Sequence, residues 1–308
     1  MKRWWWILAI IALFFVGDRI GAALIGSLVD RSPQRFSRLY SGRLDGQIAV
    51  LGNSRGVIDF RAPSIAEATG RSTVNLSHNG MTPRIAQAIF ADFLEHNQKS
   101  ELLVVEASFV TVDTSKGGVL EYMPFWSHSQ RLIALGREFS RQDVIAGDIS
   151  HLYRFNSELT LRSLFYLLRG QSDQGGAMEG TLTPELIEET KQLEPSPLEV
   201  FPEELEALVA IVNAARDAGI EVQLVFAPYL PQYAEKITNL PEVEARITAA
   251  TGLAVHDFSR ALDDTSLFAD RVHLSPAGTQ EFLQKMLTAG VFGPVDAKAE
   301  AAADANSP

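Results

Sequence analysis

The sequence predicts an α/β fold: a three-layer α/β/α flavodoxin-like sandwich with about five parallel strands. Short apolar runs alternate with longer segments of helical periodicity, which is the pattern of a parallel sheet covered by helices on both faces. One run, Leu102-Leu103-Val104-Val105, is apolar without alternation, as expected of a strand buried on both faces. The predicted strands are residues 47–51, 74–76, 102–105, 221–226 and 253–258.

The predicted helices between these strands have recognisable start and stop residues. Thr82 and Pro83 supply a cap and a first-turn proline for the helix after the second strand. Gly219 and Gly252 each follow a helical pattern directly, where a glycine closes the last turn. The predicted helices are residues 63–68, 82–97, 202–218, 241–251 and 276–289.

The segment 119–198 interrupts this alternation inside the predicted α/β domain, whose limits we set at 46–292. Its first part has apolar residues at helical spacings and predicts a helical insertion. Its second part, from residue 170, is polar and contains glycine and proline pairs, which is typical of a loop. Because aromatic residues mostly belong to protein cores, we interpret the aromatic residues of this segment as core. The alternative is that they form the wall of a substrate groove, on which sugar rings stack. The aromatic residues concerned are Tyr122, Phe125, Trp126, Tyr153, Phe155, Phe165 and Tyr166.

The N-terminal residues 1–29 predict a signal-anchor transmembrane helix. A basic start precedes 14 apolar residues at positions 4–17. At 1.5 Å per residue this run covers about 21 Å, less than the ~30 Å hydrocarbon core of a membrane. Apolar residues resume beyond an Asp-Arg pair and extend the helix to residue 29. A cleaved signal peptide is the alternative, because a basic start and a short apolar core fit that as well.

The anchor predicts where the protein resides. Basic residues at the start stay in the cytoplasm, so the rest of the chain is expected outside it. We therefore predict a single-pass protein of the bacterial inner (cytoplasmic) membrane with a periplasmic or extracytoplasmic domain. Residues 30–45 are polar and arginine-rich and are interpreted as a stalk. Residues 293–308 are rich in alanine and aspartate and are predicted to be a disordered tail.

Composition excludes several classes of function. The net charge of -11 over 308 residues argues against binding to nucleic acid, which needs a basic face. The chain has no cysteine, so disulfides, thiolate zinc sites and cysteine nucleophiles are excluded. The six histidines show no metal-ligand spacing, and no phosphate-cradling glycine loop is present. We therefore expect neither a metal nor an organic cofactor.

Two distant segments carry the chemistry. The first strand runs into Gly52-Asn53-Ser54, which puts Ser54 just past the carboxyl end of a strand, where open α/β sheets place their sites. Asp270-Arg271-Val272-His273 precedes the last helix and puts an acid and a histidine three residues apart. Together they offer a serine nucleophile, a histidine base and an orienting acid. Taken singly, each segment could equally be a surface turn or a helix cap.

The arrangement of the two segments resembles the SGNH (GDSL-like) hydrolase superfamily. Gly52-x-Ser54-x-Gly56 also matches the nucleophile elbow of α/β-hydrolases. That elbow follows several strands, however, and its acid and histidine lie in separate loops. Here the serine follows the first strand, and the Asp-x-x-His of residues 270–273 matches the last SGNH block. The resemblance spans about residues 46–290 and implies catalysis by Ser54, His273 and Asp270.

The two middle blocks of that family match less well. The second block contributes an oxyanion-hole glycine, and Gly80 in Ser77-His78-Asn79-Gly80 occupies that place. The third block is normally Gly-x-Asn-Asp, whereas here the third strand is followed by Glu106-Ala107-Ser108. The resemblance therefore implies an oxyanion hole from the N–H groups of Ser54 and Gly80, with Asn79 or Ser108 in place of the absent asparagine.

Two further residues are candidates for substrate contact. Arg55 directly follows Ser54 and is either a surface ion pair or a contact to an anionic or carbonyl group of the substrate. His78 lies two residues before Gly80 and is either a substrate contact or simply exposed.

Two classes of function follow from the sequence. The first is a serine esterase or O-acyltransferase that acts on a cell-envelope glycan, with an acylated glycan or another acyl donor as its partner. The second is a catalytically silent SGNH-like domain that binds glycan or scaffolds a polysaccharide synthesis complex. Architecture alone suggests the envelope glycan, because the resemblance is nearest to membrane-anchored acylating and deacylating members.

Overall fold

The computed structural model describes residues 4–113, 118–175, 178, 180 and 182–293. The chain divides into two compact units. The helical unit consists of residues 1–43 and 115–173, and the sheet unit of residues 44–114 and 174–308. The predicted disordered tail lies outside the described residues, apart from Gly293.

The strands and helices follow one another along the chain. The strands are β1 (Ile48–Leu51), β2 (Thr73–Asn75), β3 (Leu102–Glu106), β4 (Glu221–Phe226) and β5 (Val255–Asp257). The α-helices are α1 (Trp5–Arg31), α2 (Arg35–Tyr40), α3 (Ser54–Asp59), α4 (Ala62–Thr69), α5 (Pro83–His96), α6 (Gln130–Phe139), α7 (Arg141–Ile149), α8 (Glu158–Arg169), α9 (Pro184–Lys191), α10 (Pro202–Asp217), α11 (Pro231–Ala234), α12 (Leu240–Thr251) and α13 (Pro276–Thr288). Short 3-10 helices occupy Ala107–Thr111, Gly118–Phe125, His151–Phe155 and Thr265–Leu267.

Within the described residues the strands of the sheet unit form one parallel sheet in the order β2-β1-β3-β4-β5. This order is that of the flavodoxin-like fold, so the predicted fold class is confirmed. Val50 of β1 lies opposite Asn75 on one side and Val104 on the other. From β1 the chain first adds β2 on one side of the sheet and then β3, β4 and β5 on the other. Ligand sites in such sheets form at this switch point, outside the carboxyl ends of the strands.

The core of the sheet unit explains why these segments are strands. All residues of β1 and β3 are buried, because helices cover both faces of the sheet. Val50 and Val104 pack in one cluster with Phe60, which follows α3, and Phe282 of α13. This packing holds α13 and the residue that follows α3 against the same central strands.

The segment from residue 170, predicted to be a loop, contains helix α9, so that prediction was wrong there. The ends of the predicted strands and helices follow their signals with small shifts. Gly252 ends α12 in the left-handed conformation, as its position predicts. The predicted fifth strand, residues 253–258, is shorter in the structure. The N–H of Leu253 is bonded to Thr251 Oγ1 at the end of the helix, so the strand begins only at Val255.

Helix α1 of the helical unit is long and apolar enough to cross a membrane by length and composition. Nearly all of its residues before position 18 are exposed, which is the pattern of a helix that contacts lipid or solvent rather than a protein core. Beyond that point Asp18, Ala22 and Val29 are buried within the unit.

The segment interpreted as a stalk, residues 30–45, contains helix α2. Phe36, Leu39 and Tyr40 of this helix are buried, and Phe36 meets the Tyr122 ring edge-on with centroids 5.1 Å apart. Arg35 is also buried and forms an ion pair with Asp173 at 2.9 Å. Phe36, Leu39 and Tyr40 therefore belong to the core of the helical unit. The high arginine content of the segment led to its interpretation as a polar stalk.

Several of the insertion's aromatic residues lie in the interior. Tyr122, Phe125 and Trp126 are buried, so they pack as core and offer no face to a sugar ring. Phe165 remains exposed on α8. The segment from Gln174 onward belongs to the sheet unit, where the Gln174 side chain accepts from the N–H of Asn75 at 2.6 Å, beside the edge strand β2.

Candidate active site

The serine turn begins where β1 ends. Asn53 caps helix α3, because its side chain accepts from the N–H of Arg55 at 3.0 Å. Ser54 is therefore the first residue of the helix and keeps its own N–H free of an intrahelical carbonyl. A Cβ on Gly52 would lie 2.9 Å from the Glu106 side chain, so only glycine lets the turn approach the end of β3 so closely.

The acid–base loop precedes α13 and is shaped by its own aspartate. Asp270 Oδ1 accepts from the N–H groups of Val272 at 2.8 Å and His273 at 2.9 Å. The N–H of Ala269 donates to the carbonyl of His273 at 2.9 Å and closes the loop. These backbone hydrogen bonds fix the position of Asp270 relative to His273, in addition to any contact between the two side chains.

The structure brings the three predicted residues into a hydrogen-bonded chain. Asp270 Oδ2 lies 2.7 Å from His273 Nδ1, and His273 Nε2 lies 2.8 Å from Ser54 Oγ. Ser54 and His273 are 219 positions apart in the sequence, and the packing of α3 and α13 on the sheet joins them. Both distances are within ordinary hydrogen-bond reach for a nucleophile and its base.

The charge state of Asp270 determines the roles of the histidine nitrogens. Burial by itself would raise the pKa of Asp270, but the hydrogen bonds from His273 and from the Val272 N–H outweigh it and hold the pKa below its ordinary value. An ionised carboxylate can only accept, so Nδ1 carries the proton. Nε2 is then the acceptor for the Ser54 hydroxyl, which is the orientation that activates a serine.

A second carboxylate, Asp59, joins the nucleophile helix to the histidine loop. Asp59 ends α3, is buried, and accepts from the N–H of Leu274 at 2.9 Å through Oδ1. Its other oxygen lies 4.0 Å from Arg55 Nε, too far for a hydrogen bond. Burial raises the pKa of Asp59 to about 7, even though Arg55 and the Leu274 N–H act in the opposite direction.

Arg55 does not lie where either sequence interpretation put it. Its guanidinium is buried, so it is not a surface ion pair, and protein groups take up its Nη atoms. Nη1 lies 3.2 Å from Glu106 Oε1, and Nη2 donates to the carbonyls of Ala227 and Pro228. The guanidinium also lies over the Tyr229 ring, 3.9 Å from its centroid. Arg55 therefore ties α3 to the ends of β3 and β4, and we correct its predicted role from substrate contact to support.

Ser108 is similarly occupied. Its hydroxyl donates to Glu106 Oε1 at 2.8 Å and accepts from Arg55 Nη1 at 2.8 Å. A hydroxyl has one proton, and here the Glu106 carboxylate takes it. In this structure Ser108 therefore has no proton to give to an oxyanion, which removes it as the substitute for the absent third-block asparagine.

The segment 77–80 lies beside the serine turn. The N–H of His78 donates to the carbonyl of Gly52 at 3.4 Å, and a Cβ on Gly56 would collide with the Ser77 side chain. His78 is buried, so simple exposure is excluded for it. Asn79 and Gly80 are exposed, and Gly80 has a φ of 69°, which favours glycine. The oxyanion roles of Asn79 and Gly80 remain predictions.

The buried carboxylates Asp59 and Glu106 were missed by reasoning from the sequence. Arg55 and Asp59 are four positions apart, a spacing that places both on one helix face, and this signal was available. Glu106 directly follows four apolar strand residues, where a carboxylate is unusual unless it is paired. Within the described residues, no three His, Asp or Glu side chains converge in a way that could hold a metal ion.

Comparison with known proteins gives weak likenesses. No protein-family model and no curated protein matches the chain. A crystal structure from Bacteroides fragilis, described as that of a candidate acylhydrolase, is similar over 80% of this chain and 86% of the other, with 12% identity and a TM-score of 0.38. A GDSL-like lipase from Bacteroides thetaiotaomicron is similar over 80% of this chain and 87% of its own, with 10% identity and a TM-score of 0.38. At these scores the likenesses carry no argument about the chemistry of this protein.

Proposed function

We propose that the protein is a serine-dependent enzyme that transfers or hydrolyses the O-acyl groups of a cell-envelope glycan. The chain of hydrogen bonds from Asp270 through His273 to Ser54 supports this proposal above every other observation. A domain that only binds glycan has no need of an acid, a base and a hydroxyl in that order. The site also lies at the switch point of the sheet, outside the carboxyl ends of β1 and β3.

In the proposed mechanism Ser54 Oγ attacks the acyl carbonyl while its proton passes to His273 Nε2. The carbonyl oxygen becomes an oxyanion, and the imidazolium is stabilised by the ionised Asp270. Collapse of the intermediate breaks the ester bond, and His273 returns the proton to the departing sugar hydroxyl. The acyl group is left on Ser54, and a water or a second sugar hydroxyl removes it by the same steps in reverse.

The oxyanion is proposed to accept from the N–H of Ser54, the N–H of Gly80 and the side chain of Asn79. The first is free of helical pairing, and the other two lie on an exposed turn beside the nucleophile. Loss of one such donor typically lowers turnover about 10²–10³-fold. Asn79→Ala should therefore reduce turnover of an acetyl ester by that order. Ser108→Ala removes the hydroxyl that bonds Glu106 and Arg55, so it should lower stability together with turnover. Full turnover in Asn79→Ala would reject the side-chain donor.

The envelope location rests on the N-terminal helix. We propose that α1 anchors the chain in the inner membrane, with residues 1–3 in the cytoplasm and the rest outside, where envelope glycans are found. Fusions of alkaline phosphatase and of green fluorescent protein to the C-terminus report the side. Phosphatase activity without fluorescence is expected, and the reverse would reject the orientation. A mature N-terminus near Leu24 would replace the anchor with a cleaved signal peptide.

The central experiment is covalent labelling by a fluorophosphonate probe, which reacts with activated serines. Wild-type protein should be labelled, Ser54→Ala should not, and Ser72→Ala is the matched control, since Ser72 is an exposed serine of the same unit. His273→Ala should also abolish labelling, because Ser54 then lacks its base. Equal labelling of wild type and Ser54→Ala would overturn the proposed nucleophile. Absence of labelling in all variants, with no hydrolysis of acetyl esters, would favour the silent glycan-binding domain.

A further inference from the structure

The helical unit carries an open cavity of about 600 Å³ with a largely basic lining. One wall is the second half of α1, where small residues leave room. The other wall is built by residues 124–128 and by the turn His151–Phe155. The basic lining residues are Arg19, Arg31, Arg43, His128, His151 and Arg154.

The charge balance of this cavity is positive, although the whole chain carries -11. Arg19 and Arg154 pair with Asp18 at 2.8 Å and Asp148 at 2.9 Å. Arg31 and Arg43 have no carboxylate partner within the described residues. Arg43 instead donates to neutral acceptors, the carbonyl of Asp30 at 2.6 Å and the hydroxyl of Ser41 at 2.7 Å. Four guanidinium groups thus face three carboxylates, counting that of Asp30.

The two histidines of the lining have different neighbours. Burial lowers the pKa of His151, and the charges of Arg154 and Arg19 lower it further. His128 Nε2 lies 3.2 Å from the carboxylate of Asp30. Asp30 is the one acidic residue among the described residues that line the cavity, and this contact engages it. A ligand that enters therefore meets guanidinium groups with spare hydrogen-bond donors, and these suit a phosphate oxygen.

The position of the cavity along α1 indicates the source of that phosphate. The stretch of α1 that is exposed on every side ends at Asp18, whose carboxylate accepts from Ser150 Oγ at 2.5 Å and from the N–H of His151 at 2.8 Å. The cavity thus begins directly beyond the apolar stretch. If α1 enters the hydrocarbon at residue 4, about 20 helical residues are needed to cross the ~30 Å core. The end of α1, with Arg31 and the neighbouring Arg43, then lies at the depth of the lipid headgroups.

Exposed apolar residues of the same unit fit this placement. Ile145 and Ile149 are one turn apart on α7 and are 49% and 57% exposed. On α8, Leu161, Phe165 and Leu168 are also exposed and form one face of that helix, since they recur at spacings of four and three. An apolar face of this kind on a helix that packs against α1 is suited to the acyl boundary of a bilayer.

We propose that this cavity binds the phosphate of an anionic membrane lipid. The guanidinium groups of Arg31 and Arg43 contact the phosphate oxygens, and the acyl chains run along the exposed apolar side of α1. This inference rests on the proposed anchoring of α1 and is independent of the acyl-transfer chemistry. A free phosphate ion has the same oxygen chemistry, and the experiment separates the two sources.

The test uses the full chain purified in a neutral detergent. Short-chain phosphatidylglycerol, short-chain phosphatidylcholine and inorganic phosphate are added separately, and the melting temperature is measured by circular dichroism. At about ten times the dissociation constant a bound ligand should raise the melting temperature by roughly 3–5 °C. We expect that rise with phosphatidylglycerol alone. An equal rise with phosphatidylcholine, or with inorganic phosphate, would overturn the anionic lipid as the ligand.

Variants locate the effect. Arg31→Gln changes an exposed side chain at the end of α1 and should abolish most of the rise without loss of folding. Arg137→Gln is the matched control, because Arg137 is an exposed arginine of the same unit outside the cavity lining. A second variant, Ser27→Leu, reduces the space in the cavity and leaves every arginine in place. If the two cavity variants and the control all retain the full rise, the lipid binds elsewhere and the proposal fails.

Discussion

The buried carboxyl of Asp59 gives the sharpest physical prediction. In the folded protein the pKa of Asp59 is about 7 because the group is buried, whereas an ordinary aspartate has a pKa of 3.8. Between these values the folded state binds a proton that the unfolded state has lost. The contribution of Asp59 to the free energy of unfolding must therefore fall as the pH rises from about 4 to about 7. The full difference of about three pKa units corresponds to a penalty on the order of 4 kcal/mol.

Asp59→Asn removes the titration and keeps the contact. The asparagine oxygen can still accept from the N–H of Leu274, which Asp59 Oδ1 does at 2.9 Å in the wild type. Relative to wild type, the variant should therefore gain about 3 kcal/mol of unfolding free energy when the pH is raised from 4.5 to 8. Other groups titrate over this range, but they do so in both proteins and cancel in the difference.

Urea unfolding of the full chain, followed by circular dichroism at several pH values, measures this difference. Asp263→Asn is the matched control, since Asp263 is an exposed carboxylate of the same unit, and its difference from wild type should be flat with pH. A flat difference for Asp59→Asn as well would refute the assignment of a protonated, desolvated carboxyl to position 59. It would mean instead that Arg55 keeps Asp59 ionised.

Three further substitutions test the support of the site. Arg55→Met leaves Glu106 buried without its cation and should cost about 3–5 kcal/mol in urea unfolding, and adding Glu106→Gln should recover part of that loss; strictly additive costs would contradict the pairing. Asp270→Asn should leave the circular dichroism spectrum unchanged and lower ester turnover by about 10⁴-fold, because His273 loses its orienting acceptor; unaltered turnover would show that the carboxylate is dispensable. Gly278→Ala would press a methyl group into the backbone carbonyl of the preceding 3-10 helix and should cost at least about 1–3 kcal/mol, so an unchanged melting temperature would disprove that contact.

The arrangement of the sheet was predictable because its signals are local. The continuous apolar run of β3 and the glycine after α12 identify a buried strand and a helix end without knowledge of distant residues. Boundaries shifted where a side chain intervened, as at Leu253, whose N–H is bonded to Thr251. The apolar character of the first half of α1 was equally local, since that half is exposed and apolar on every face.

The roles of individual charged residues were not predictable in the same way. Arg55 follows the serine in sequence and invites assignment to the substrate, yet its guanidinium turns inward to Glu106 and to two carbonyls at the end of β4. Those partners lie 51 or more positions away, so no local pattern reveals them. Likewise, Ser108 was a candidate donor until the position of Glu106 showed where its only proton goes.

The sequence by itself determined the fold class, the apolar N-terminal helix and the three residues proposed to act together, because turn glycines, strand burial and the Asp-x-x-His spacing are written in short segments. Only the tertiary structure decided what surrounds them. It placed Ser54 Oγ 2.8 Å from His273 Nε2, and it bonded Asp59 at the end of α3 to the N–H of Leu274, which follows the histidine. It also buried Arg55 among partners from other strands. The physical reason is that hydrogen bonding and desolvation depend on distances in space, and the packing of α3 and α13 on the sheet sets those distances.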